Sequence, residues 1–251
     1  MEKSTVYFTD FRCKVGTSQL DKLKKLCIAA GIKDIDMDGK FVAIKMHFGE
    51  LGNLAFLRPN YAKVVADLCK ELGGMPFLTD CNTLYPGSRK NALEHMDCAN
   101  LNGFNTITTG CQIIIGDGLR GTDDVEVPVE NAEYCPTARI GRAVMDADVF
   151  ISLTHFKGHE ATGFGGAIKN IGMGCGSRAG KMAQHKLSKQ TFAAAASAAQ
   201  KNAEVMLLHI RRKKRSLIMR NARAAAVVSV PAALMQFITH TAIPMSFSAV
   251  R

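Results

Sequence analysis

No two of the eight cysteines stand as C-x-x-C, and none falls after Cys175 in this chain of 251 residues. Scattered single thiols argue against a disulfide framework. The opening residues, MEKSTVYFTD, make no signal peptide, so a reducing, cytoplasmic setting is expected. No glycine triplet of the form G-x-G-x-x-G follows a strand-like run, and there is no P-loop, so no nucleotide motif is read. Acidic residues are nearly missing from the end of the chain: residues 191–251 hold nine Lys or Arg and one acid, Glu204. The formal net charge of +10 therefore sits mostly there, as +8, and leaves +2 for the first 190 residues. The basic run RRKKRSLIMRNAR lacks interleaved aromatics, so solvated charge is expected in place of nucleic-acid binding. Residues 224–250 carry no charge, but Pro231, Pro244, Gln236 and His240 argue against a membrane anchor.

What is present is a run of alternating elements. FVAIKMHF, PFLTD, QIIIGDG and DVFISLTHF read as strands, being β-branched and apolar. LDKLKKLCIAAG, YAKVVADLCKELGG and RIGRAVMDA space apolar residues as helices do, and the first two end on glycine. Strand and helix in alternation predict an α/β domain over residues 1–190, with a mainly parallel sheet and helices on both faces. A poorly packed, Ala/Arg-rich tail is expected over residues 191–251.

In such sheets ligands bind beyond the carboxyl ends of the strands. Each predicted strand runs into polar residues there. The first reaches Lys45, His47 and Asn53; the second Asp80, Asn82 and Arg89; the third Asp117; the fourth His155, Lys157 and His159. Four such ends predict one cleft, with His47, Asp80, Asp117, His155, Lys157 and His159 as candidate catalytic groups. Histidine is the natural proton carrier at neutral pH, and Lys157 would serve as electrophile or anion clamp. The segment from Gly163 to Gly180 has seven glycines in eighteen residues. Backbone N–H groups at Gly163, Gly165 and Gly166, with Lys169, Asn170 and Arg178, would suit a phosphate or carboxylate; tight structural turns are the alternative. Asn53, Asn82 and Arg89 complete the candidate ligand-binding set. His155, His159 and His185 lack a carboxylate or thiol at helical spacing, so no metal is expected. Cys175 reads as buried filler.

VAIKMHFGELGN, LRPNYAKVVADLCKELGGMPFLTDCNTLYPGSRKNA, GLRG and SLTHFKGHEATGFGGAIKNIGMGCGSRAGKMAQH resemble the domain-of-unknown-function family 362, the uncharacterised iron-sulfur centre proteins. The resemblance spans about residues 4–189. It implies an α/β domain followed by a ferredoxin-like domain with two 4Fe-4S clusters, served by a redox partner in intact relatives. Such clusters need cysteine runs of the form C-x2-C-x2-C-x3-C, which this tail lacks, so no cofactor is expected in this chain. The tail instead reads as a shifted frame. A cysteine codon read one base late opens an Ala or Val codon, and the family spacing falls on Ala193, Ala196, Ala199 and Ala203, then on Ala222, Ala225, Val228 and Ala232. The expected function is redox-linked handling of a small anionic ligand or substrate; the alternative is a binding or carrier protein without chemistry.

Overall fold

The computed structural model describes residues 5–132, 135–159, 163–187, 201, 203–205, 226–231 and 235–239. In chain order the strands are β1 (Val6–Thr9), β2 (Phe41–Lys45), β3 (Met75–Asp80), β4 (Gln112–Ile115), β5 (Asp124–Pro128), β6 (Thr137–Gly141), β7 (Val149–His159), β8 (Gly163–Gly165), β9 (Ala226–Pro231) and β10 (Met235–Thr239). The helices are α1 (Gln19–Ala29), α2 (Pro59–Glu71), α3 (Ala92–Leu101), α4 (Thr106–Thr109), α5 (Arg142–Asp146), α6 (Ala167–Gly172) and α7 (Arg178–Leu187). The main sheet runs β1-β10-β9-β7-β2-β3-β4. Its five strands from β9 to β4 are parallel, while β10 and β1 are antiparallel additions at one edge. The mainly parallel α/β architecture expected from the strand–helix alternation is what forms.

Period-two alternation divides the core. Val42, Ile44 and Met46 of β2 and its continuation face one hydrophobic cluster with Leu23, Cys27, Val65 and Leu68 from α1 and α2. Ala43, Phe77 and Phe150 face the other, with Val144, Met145 and Ile171 from α5 and α6. The helices start where local chemistry permits. The Ser18 hydroxyl accepts the Asp21 N–H at 3.1 Å while the Asp21 carboxylate accepts the Ser18 N–H at 2.9 Å, and α2 opens on Pro59, whose missing N–H has no helical partner to lose.

RIGRAVMDA does not form the single helix its spacing predicts. Arg139–Gly141 belong to β6, paired antiparallel with β5, and helix begins only at Arg142. The reason is packing: Ala138 and Ile140 are buried, and a Cβ on Gly141 would lie 2.6 Å from the Cys81 Sγ, so this point is a close approach between layers. Within the tail, Ala203 and Val205 pack on the second cluster, and β9 and β10 extend the sheet beside β7. The remaining tail, including most of the shifted-frame positions, lies outside the described residues.

Candidate functional site

The carboxyl edge of the parallel strands carries a buried ionic network. Lys45, the last residue of β2, interrupts an apolar strand and is 1% exposed. Its Nζ lies 2.9 Å from Asp80 Oδ1 at the end of β3 and donates to Asn170 Oδ1 on α6 at 2.8 Å. Asn170 Nδ2 in turn donates to Ser152 Oγ at 2.9 Å and to Thr154 Oγ1 at 3.0 Å, which locks α6 to β7. A buried charge needs a partner and filled hydrogen-bond positions, and this arrangement supplies both. Gly174 makes the approach possible, because a Cβ there would lie 2.5 Å from Lys45 Nζ and still nearer the Asn170 carbonyl oxygen. Gly174→Ala is therefore expected to cost about 1–3 kcal/mol by overpacking, read as a lowered denaturant midpoint with unchanged slope.

The loop after β3 adds Arg89, whose Nε donates to Glu50 Oε2 at 2.9 Å and whose Nη1 lies 3.6 Å from Asp80 Oδ2. Burial opposes ionisation of Asp80, but Lys45 first, then His95, His47 and Arg89, hold its carboxyl well below the usual carboxylate range. The histidines contribute only when protonated, so at neutral pH Lys45 and Arg89 do this work. Glu50 is held low as well: partial burial acts against ionisation, and the Ser88 N–H and Arg89 overcome it.

A second knot lies beside the first. Asp117 Oδ1 accepts from Asn82 N and Nδ2, both at 2.9 Å, and its Oδ2 accepts from Arg178 N at 3.0 Å. Burial pushes the Asp117 carboxyl up, against the pull of Lys181 and these N–H groups. Lys181 Nζ on α7 donates to Asn82 O at 2.9 Å and to Gly176 O at 2.7 Å. Asp117, Asn82 and Arg178 thus fasten three loops at the strand ends.

His95 of α3 is fully buried between the knots. Asn82 Nδ2 donates to Asp117 Oδ1 and to Gly118 O, which fixes its amide, so Asn82 Oδ1 accepts and the facing His95 Nδ1, 3.3 Å away, carries the proton. His95 Nε2 is then bare. It lies 3.8 Å from Asp80 Oδ2, and among the described residues neither atom makes a hydrogen bond. Burial chiefly, opposed by Asp80 and reinforced by Arg89, Lys181 and Lys45, brings the pKa of His95 down to about 4.

Of the sequence-predicted residues, Asp80, Asn82, Arg89, Asp117, Asn170 and Arg178 come together in this network. His47 sits beside it in the loop after β2, its Nδ1 accepting from Gly49 N at 2.9 Å. Its pKa is pushed down, by desolvation among crowding neighbours first and by Arg89 second. The residue nevertheless keeps an exposed edge. Asn53 lies apart and exposed, its Oδ1 accepting from Ala55 N at 2.8 Å within its own turn. His155, still paired with β9, Lys157 and His159 lie along the far half of β7, which from Lys157 on leaves the main sheet to pair with Gly163 and Gly165 of β8. Burial and Lys157 lower the His155 pKa. Lys157 and Lys169 flank Gly165, and Gly166 stands at the entry to α6. Sequence reasoning missed His95 and Lys181, and left Lys45 among the strand-end residues without a role. A lysine inside the apolar FVAIKMHF was a usable signal; nothing local marked the other two.

All eight cysteines are unpaired, and all but Cys13 are buried. Burial raises the thiols of Cys27, Cys69 and Cys175 to about 12, and among the described residues no three His, Cys, Asp or Glu are grouped to hold a metal ion. These residues do not fit an iron-sulfur cluster, which needs converging thiolates. Among the described residues no helix is long and apolar enough to cross a membrane.

No curated protein matches the chain. Among solved structures it is similar to the lactate racemase apoprotein from Thermoanaerobacterium thermosaccharolyticum, at 14% identity and a TM-score of 0.49, covering 90% of this chain and 49% of that one. The chain thus spans about half the length of that structure. The family model described as Domain of unknown function (DUF362) matches residues 42–239, which is most of the chain and runs past Gln190. The chain belongs to the DUF362 family.

Proposed function

We infer that the chain binds a small anionic ligand or substrate at the carboxyl edge of β2, β3, β4 and β7. The observation that carries this reading is the charge of the connected network. The cations Lys45, Arg89 and Lys181 balance the carboxylates Glu50, Asp80 and Asp117, and Arg178, whose backbone N–H caps Asp117 while its guanidinium donates to Lys90 O at 3.3 Å, adds one positive charge at the rim. The β7–β8 ribbon adds Lys157, with Lys169 beside it, on the same edge of the sheet. An anion clamp needs this excess, held by groups whose geometry is already fixed.

In relatives that carry 4Fe-4S clusters, the ligand would be handled in a redox-linked reaction, with His47 as the solvent-reaching proton carrier. A carrier role without chemistry is the second reading, and the fully bonded state of Asp117 favours it. Titrating the whole chain with sulfate and with phosphate tests the shared claim. Saturable binding is expected, weakened about tenfold or more by Arg89→Gln and little changed by Asn53→Ala. Binding unaffected by Arg89→Gln would place the anion elsewhere.

A further inference from the structure

The two buried acceptors between α3 and β3 give the site a further property. Asp80 Oδ2 and His95 Nε2 face each other at 3.8 Å, each carrying a lone pair and no proton. Two facing acceptors repel, and each lacks the hydrogen bond that offsets its desolvation. A single proton on Nε2 removes both defects at once, because an Nε2–H can donate to Oδ2.

What opposes that proton is the surrounding charge. His95 is faced by Asp80 from β3, Arg89 from the loop after β3, Lys181 from α7, Lys45 from β2 and His47 from the loop after β2. Three of these are fixed cations and one is a carboxylate; Phe48 covers the ring edge-on at 5.7 Å. A bound dianion reverses the balance, because its negative charge offsets the cations that oppose the proton, and an imidazolium then compensates part of that negative charge.

We propose that anion binding at the strand-end cleft is coupled to uptake of one solvent proton at His95 Nε2, which then donates to Asp80 Oδ2. This rests on the anion-binding reading above and assigns His95 as a positioning residue that sets the charge of the site without touching the ligand. No bond other than the N–H forms, and no electron moves. The coupling makes the affinity for an anion rise as pH falls. Linkage requires about a tenfold gain per pH unit, over the window between the pKa values of the bound and free states.

Sulfate is the suitable probe because its own charge stays constant across this window. Calorimetric titration of the full chain near pH 5, in buffers of different ionisation heat, should show uptake close to one proton per sulfate bound. His95→Asn keeps a donor for Asn82 Oδ1 but has no Nε2 to protonate. It should bind sulfate with near-zero uptake and a flat pH profile. Nitrogen resonances of the wild-type His95 ring, followed with and without sulfate, give a readout that needs no variant. They should show the bare Nε2 becoming protonated. Sulfate binding without proton uptake and with an unmoved Nε2 resonance would overturn the coupling and leave the anion site standing. Uptake that persists in His95→Asn would overturn it too. A wild-type chain that binds neither sulfate nor phosphate would overturn the anion reading itself, and the coupling with it.

Discussion

As pH falls from 6.5 to 4, His95 should withdraw about 3 kcal/mol of stability from the wild-type chain, with His47 adding to the loss in the same window. The His95 ring is fully buried and neutral, with its pKa depressed from the ordinary 6.5 to about 4. Between those values the unfolded chain binds a proton that the folded chain refuses, so acid favours unfolding. The contribution is fully present above the unfolded pKa, is lost as pH falls through this window, and levels off below the folded value. Asp80 behaves differently. Its carboxyl is held well below the ordinary range, so its share is intact above the unfolded carboxylate pKa and is lost only in more acidic solution. The two limbs therefore separate. His47 is pushed down further, to about 3, by burial and then by Arg89, and His155 and His185 are pushed down by burial first and then by Lys157 and Lys169 respectively; all three add slope that any His95 variant retains. Urea unfolding at a series of pH values checks this. His95→Asn should reduce the slope between pH 6.5 and 4 by the His95 share, whatever its absolute stability, and leave the His47 share. An identical slope in the variant would mean that His95 is not a group that titrates.

The framework was legible in the sequence because burial on both faces leaves a strong mark. FVAIKMHF, PFLTD and DVFISLTHF are apolar along their length, as central parallel strands must be, and they became β2, β3 and β7. The rule that polar residues gather at strand ends gathered Asp80, Asn82, Arg89, Asp117, Asn170 and Arg178 correctly in space. It could not say which of them would be consumed in holding the loops. Asp117 looks like any strand-end acid until its three N–H donors are seen, two of them from Asn82 in a different loop and one from the start of α7.

The glycine-rich stretch carried two readings, and only tertiary contacts separate them. Gly174 and Gly180 admit Lys45 and the Arg139 backbone at distances no Cβ allows, so close packing explains these two. His95 gave no signal because its partners lie on β3, in the loop after it and on α7, elements distant in sequence. RIGRAVMDA misled because three-and-four spacing and two-residue alternation overlap in so short a run, and pairing with β5 decided it. The tail shows the limit of composition. A change to alanine and arginine after Gln190 predicts loose packing, yet β9 pairs with Ile151–Phe156 of β7 over six residues. Backbone pairing asks little of side-chain identity, so composition alone does not foresee it.

Lys45→Met should be the most damaging substitution at the site, at about 3 kcal/mol or more, because it removes one member of a fully buried ion pair. The methionine matches the aliphatic stem, so packing against Gly174 is preserved and the loss is electrostatic. Two groups are stranded. Asn170 Oδ1 loses its donor at 2.8 Å, and Asp80 keeps the Cys81 N–H and one cation close by, Arg89, at 3.6 Å and shared with Glu50. Arg89 keeps the cost toward the lower end of the range for breaking a buried pair. The double variant Lys45→Met with Asp80→Asn separates charge from packing. Asparagine keeps an oxygen for the Cys81 N–H, now at 2.9 Å from Asp80 Oδ1, and turns an NH2 toward the bare His95 Nε2. The charge that Lys45 neutralised is then gone, and one of two facing acceptors has become a donor. The double variant should therefore be clearly more stable than the sum of the two single losses, by about 1–3 kcal/mol of coupling. Denaturant midpoints for the four proteins, compared at one pH near neutrality, give that coupling directly. Strict additivity would mean that Lys45 and Asp80 do not hold each other in solution.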